Sequence, residues 1–222
     1  MTVLYHVPIL HGTGTTILGA HPEFLDATRE ITELYFEQLI PSLLHHFKTE
    51  GLIDRKRRFT KPVHLFLDCL DRPGHELLSM VRIRGYKQFG IYELVTRLCA
   101  AGAVLHQTES EHLVRGTGLL LQTRPHPEDI EEQLRHLGKL REQDIAQRIG
   151  QKLLNEPQAM GVLLLGAAHP LLSLPSGIET RVYHRIDCFE KRMLPWFEKY
   201  QMALFCSPDD FGHIPGALHV EQ

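Results

Sequence analysis

The sequence has little of what marks the simplest function classes. Its four cysteines, Cys69, Cys99, Cys188 and Cys206, form no CxxC pair, which argues against a zinc ribbon or a thioredoxin-type redox site. No apolar run approaches the ~18 residues that a membrane helix needs. No basic-plus-apolar leader precedes the first strand candidate, so a soluble, cytoplasmic chain with no membrane contact is expected. Charge of one sign is not in excess either: 24 Lys and Arg stand against 27 Asp and Glu, a formal net of −3. That balance excludes a surface built to grip nucleic acid mainly through its phosphates. The G-x-S-x-G of a serine hydrolase is missing, and the run HGTGTT at His11 has neither the spacing nor the lysine of a phosphate loop.

What is present suffices for one globular domain. The chain has 222 residues, 43% of them apolar, enough to bury a large core without a metal or disulfide. Short apolar runs at 4–10, 62–67, 103–106 and 162–165 read as strands covered on both faces. The stretches 178–184 and 202–206 read as edge strands. Between them lie helical patterns: one opening at Pro22 and restarting at Pro41, one from about Ile91 to Ala101, and a long one from about Pro127 to Leu154. This alternation predicts an α/β fold, a three-layer α/β/α domain with a mostly parallel sheet. It spans residues 1–187, and 188–222 form a C-terminal extension packed on it. Cys69 and Cys99 lie in apolar runs and read as buried thiols. The basic cluster Arg55 to Arg58 reads as a solvated turn, or else as an anion patch.

The polar residues gather behind the strands. His11-Gly12 follows the first, Asp68 and Asp71 the second, Gln107, Thr108 and Glu109 the third, and Gly166-Ala167-Ala168-His169 the fourth. In a parallel sheet these loops share one edge, where open α/β folds place ligands. Two histidines and two carboxylates there can hold a divalent cation that activates water. Gly12 and Gly166 let backbone approach a ligand closely. Each residue also has a plainer reading: a structural histidine, a turn-capping Asp68, a first-turn Glu109, or a helix-entry His21. On the long helix Arg141, Asp144 and Arg148 share a face. They form a surface ion-pair ladder, or Arg141 holds an anion with Asp144 orienting it.

In order along the chain, PILHGTG, LDCLDRPG, GAVLHQTESEHL, LREQDIAQRI and GVLLLGAAHPL resemble the segments of a scattered family of uncharacterised prokaryotic proteins. More distantly the arrangement is similar to the EreA/ChaN-like superfamily, which includes erythromycin esterases, haem-uptake lipoproteins and the TraB/TIKI metalloproteases. The TraB/TIKI branch carries a G-x-x-H near each end and a glutamate between. Gly166 to His169 matches the second element and Glu109 stands for the acid. The first element departs: Gly19-Ala20-His21 is one residue short, and His11 has no glycine three before it.

Together these readings make the chain a metal-dependent hydrolase acting on a small-molecule or peptide substrate. His11, His169 and Glu109 hold manganese, cobalt or zinc, with His21 as an alternative ligand. Asp68 or a free carboxylate is the general base and Arg141 steadies developing negative charge. Two other readings stand beside it. One is a haem or small-ligand carrier using the same histidines with Tyr5, Tyr86 or Tyr183 nearby. The other is an interaction subunit with a vestigial pocket that docks through Trp196, Phe197 and Tyr200. A homo-oligomer fits any of the three.

Overall fold

Seven consecutive residues, Met160 to Gly166, are all buried, because this strand lies inside the sheet and both its faces are covered. The computed structural model describes residues 2–9, 22–84, 90–122, 127–166, 169 and 171–183. Five strands form one sheet: β1 (Thr2–Ile9), β2 (Val63–Leu67), β3 (Ala103–His106), β4 (Met160–Gly166) and β5 (Ile178–Val182). Their order is β3-β2-β4-β1-β5, and every pairing is parallel. One register row runs Leu105, Leu65, Val162, Tyr5, Arg181. This is the α/β architecture that the alternation of runs predicts.

Side-chain alternation sorts the core into two halves. Tyr35, Phe36, Leu39, Leu43 and Phe47 of α1 (Pro22–Thr49) join Leu94 and Leu98 of α3 (Gly90–Ala100) against Val7, Leu65, Val162 and Leu164. On the opposite face Ile145, Ile149 and Leu153 of α5 (Pro127–Asn155) meet Leu4, Phe66, Leu163 and Leu165. Each such aliphatic side chain contributes about 1.5–3 kcal/mol on burial. Gly161 brings α5 close to the sheet: a Cβ there would lie 2.4 Å from Leu4 Cδ1 and 3.0 Å from Leu153 Cδ1. Two further helices, α2 (Gly74–Arg84) and α4 (Glu111–Gln122), fill the β2–α3 and β3–α5 connections.

Several expectations need correction. Pro41 lies inside one continuous helix and does not restart it. α2 has no counterpart in the sequence reading, whereas a helix following Glu109 is present as α4, which begins at Glu111. Cys69 is exposed and Cys99 half-buried, so neither is the fully buried thiol expected. Arg55 to Arg58 do lie in an exposed turn, closed by the Arg58 N–H on Asp54 Oδ1 at 2.9 Å. The stretch at 202–206 and the proposed extension 188–222 lie outside the described residues. Among the described residues no helix is long and apolar enough to cross a membrane.

Candidate functional site

β2, β3 and β4 end in register, Phe66 beside His106 and Leu67 beside Leu164, and the residues that follow are drawn together. Leu67, Asp68, Cys69 and Leu70 form a tight turn closed by the Leu70 N–H on the Leu67 carbonyl at 3.2 Å. Cys69 occupies its third position with φ 60°, a left-handed conformation usually given to glycine and costing on the order of 1–3 kcal/mol. That conformation directs the Cys69 N–H at Glu109 Oε1, 2.7 Å away. The loop after β3 is tied to the same turn. The Leu67 N–H donates to Thr108 Oγ1 at 3.0 Å. The Thr108 and Glu109 N–H groups both donate to the Leu70 carbonyl, and Gln107 Nε2 donates to the Asp71 carbonyl at 2.9 Å.

Into this corner α5 sends Arg141. Its Nε donates to Glu109 Oε2. Its Nη2 donates to Glu109 Oε1 at 3.1 Å and to Asp68 Oδ1 at 3.3 Å, and reaches Cys69 Sγ at 3.0 Å. Asp68 Oδ2 accepts the Gly166 N–H at 3.0 Å. All four carboxylate oxygens therefore accept a bond from the protein. The Asp68 and Glu109 side chains are fully buried and Arg141 is 11% exposed. Burial opposes charge on the guanidinium, but Glu109, the Cys69 sulfur and Asp68 more than offset it and hold Arg141 charged. At Cys69, protein packed around the sulfur and then the Asp68 charge push the thiol up to about 12, against Arg141. It is a protonated thiol, not a nucleophile.

His169 borders this network. Its Nε2 lies 3.5 Å from Asp68 Oδ2 and its Nδ1 3.5 Å from Glu142 Oε1, with 21% of the side chain exposed. Burial lowers its pKa, but the bond to Glu142 and the Asp68 charge outweigh that and Arg141, so the ring titrates above its ordinary range. Asp144 does not orient Arg141 as expected. Its Oδ2 accepts the Ser110 N–H at 2.6 Å and its Oδ1 accepts Arg148 Nε at 3.0 Å, while Arg148 Nη2 donates to Ser110 Oγ at 2.9 Å. Four residues apart on a helix, Asp144 and Arg148 face each other. Together they clamp the residue after Glu109.

The expected residues thus divide into three groups. Asp68, Glu109, Arg141, His169 and the Gly166 backbone meet in one cluster. Asp144 sits one layer behind. His11, Gly12, His21, Tyr86, Trp196, Phe197 and Tyr200 lie outside the described residues. Gly166 is the last residue of β4 and acts here as an N–H donor. Sequence reasoning missed Cys69, whose role comes from a turn conformation, and Glu142, whose only signal is its place beside Arg141.

The expected metal can be tested against these donors. Those of Asp68, Cys69 and Glu109 lie within 4.8 Å of one another, a spacing a cation could use. Arg141, however, contacts all three. With the guanidinium in place those three donors do not fit a divalent ion, while Asp68 Oδ2 and His169 Nε2, 3.5 Å apart, accept no bond from it.

A second polar cluster lies on β2 and β3. His64 Nδ1 and His106 Nε2 are 2.8 Å apart and share one proton. Glu156 Oε2 lies 3.2 Å from His64 Nε2, at an angle too poor for a hydrogen bond. Burial, then His64 and Lys152, lower His106 to about 4, against Glu156. A cavity of about 360 Å³ lies elsewhere, lined by Tyr5, His46, Glu50, Arg181, Val182 and Tyr183. It shares no residue with the Asp68 cleft.

Comparison with protein-family models, curated proteins and solved structures finds no match for this chain.

Proposed function

We propose that the chain is a hydrolase of small-molecule or peptide substrates, with the cleft at the ends of β2, β3 and β4 as its active site. The observation that carries this reading is the pairing of partly exposed His169 with fully buried Asp68. When the ring is neutral, its proton stays on Nε2 toward the buried carboxylate. Nδ1 is then the base, on the side where Glu142 is itself partly exposed. Water gives its proton to Nδ1 and attacks the substrate carbonyl or phosphoryl centre. The imidazolium then returns the proton to the leaving group. Among the described residues Arg141 Nη1 makes no hydrogen bond, so its two N–H groups are free to meet the charge that develops.

A panel of ester, amide and phosphodiester substrates tests this. His169→Gln should lower the rate on whichever substrate is cut by about 10²-fold or more. The rate should rise with pH through a midpoint above the ordinary histidine value of ~6.5, because only the neutral ring accepts a proton. No turnover of any class, or equal turnover by His169→Gln, would contradict the reading.

The cavity beside β5 favours a second reading, a carrier of a small ligand. Its volume is at the low end for small-molecule sites, and Tyr5 and Tyr183 line it. A Soret band in the purified protein, lost in Tyr183→Phe, would make that ligand haem.

A further inference from the structure

We infer that His64 and His106 form a site for a borderline divalent ion such as Zn²⁺ or Cu²⁺, held between His64 Nδ1 and His106 Nε2 and tying β2 to β3. The site is separate from the Asp68 cluster and its test needs no turnover, so it and the hydrolase reading can fail independently.

Strand register brings the two rings together. His64 pairs with Val104 and Phe66 with His106, so the histidines are diagonal neighbours on one face of adjacent strands. Their ring centroids lie 4.9 Å apart at 52°, and the facing nitrogens are 2.8 Å apart. Two nitrogens on one tetrahedral Zn²⁺ lie roughly 3.3 Å apart, so a parting of about 0.5 Å admits the ion. Glu156 sets the tautomer. Its Oε2 stands 3.2 Å from His64 Nε2, which favours a proton there and leaves the lone pair on Nδ1. A carboxylate facing the second nitrogen of a histidine ligand is the usual arrangement at a metal. The proton shared between the rings then belongs to His106 Nε2. When an ion binds, His106 gives up that proton and carries one on Nδ1 instead, so the ring stays neutral. His64 is buried and His106 half-buried: the sheet fixes one ligand, and water completes the shell beside the other. Lys152 of α5 opposes a cation here, but it is exposed and screened, and Glu156 offsets it. Imidazole ligands select Zn²⁺ or Cu²⁺ over Mg²⁺ and Ca²⁺, which take oxygen. The bound ion braces the two strands that lead into Asp68 and Glu109.

The test is a Zn²⁺ titration of the whole chain after stripping with EDTA and dialysis. The unchanged protein should bind one ion more per chain than His106→Gln. Glu156→Gln should hold that ion about 10-fold more weakly. Zn²⁺ at about a hundredfold excess over Kd should raise the melting midpoint of the unchanged protein by about 5 °C, and EDTA should reverse the rise. Mg²⁺ should do neither. In nitrogen NMR of the rings, the His106 proton should move from Nε2 to Nδ1 as Zn²⁺ is added. That readout needs no variant, and it decides the question if His106→Gln does not fold. Equal Zn²⁺ binding by the unchanged protein and His106→Gln would place the ion elsewhere and overturn the inference. So would His64 and His106 ring signals that stay unchanged at millimolar Zn²⁺.

Discussion

Two half-buried histidines lie on the same side of the fold's functional question and behave in opposite ways. His169 faces two carboxylates and is held toward its charged form. His106 faces another imidazole with Lys152 behind it, and is held neutral down to about pH 4. Burial weakens the charged form in both cases. The partner's charge decides the outcome. The strand-end cleft is a closed network of opposite charges in which every carboxylate oxygen has a donor. The His64–His106 pair shares one proton between two bases, with Glu156 in poor alignment. Only the first has both a committed cation and an imidazole poised to exchange a proton with solvent.

The comparison breaks most visibly under neutral substitution. Glu109→Gln leaves Arg141 with one buried partner and should cost about 3–5 kcal/mol in denaturant unfolding. Glu156→Gln removes a 44% exposed carboxylate and should cost less than about 0.5 kcal/mol. Equal losses at the two positions would erase the distinction. A smaller effect, sharper in its direction, comes from titration by NMR. His169 should titrate above ~6.5 and move down in Asp68→Asn, whereas His106 should titrate near 4 and move up in His64→Gln. The consequences for stability have opposite signs. His169, raised in the fold, supports stability fully below ~6.5 and loses that support as pH rises through its folded value. His106, lowered in the fold, favours the native state above ~6.5 and withdraws that as pH falls toward about 4. The smallest effect is expected at Cys69. Cys69→Gly relieves a left-handed residue and keeps the N–H on Glu109, so stability should stay within about 1 kcal/mol. A loss of several kcal/mol would mean that the sulfur's contact with Arg141 matters more than its backbone.

How much of this was legible beforehand follows from what each feature depends on. The sheet was readable because β2 and β4 are short, wholly apolar and followed directly by polar residues, a local signature of strands covered on both faces. The meeting of Asp68, Glu109 and His169 then followed from parallel topology alone. The helix through Pro41 was not legible, because tertiary packing of Tyr35, Leu39, Leu43 and Phe47 on the sheet outweighs a proline's local preference. Cys69 looked like core because its neighbours Leu67 and Leu70 are core, and only the turn geometry turns it outward. The partners of Asp144 could not be read either. Helical spacing puts Arg141 and Arg148 equally within its reach, and Arg141 is drawn away by carboxylates from two distant loops.

The central claim is that the strand-end site works through His169 and Asp68, with Arg141 as the permanently charged cation among the described residues. The most direct measurement is the pH–rate profile on whichever substrate is hydrolysed, recorded in the presence of EDTA. The account predicts undiminished turnover with chelator and a rate that rises through a midpoint above ~6.5. Turnover that disappears with EDTA and returns with added Mn²⁺ or Zn²⁺ would contradict it.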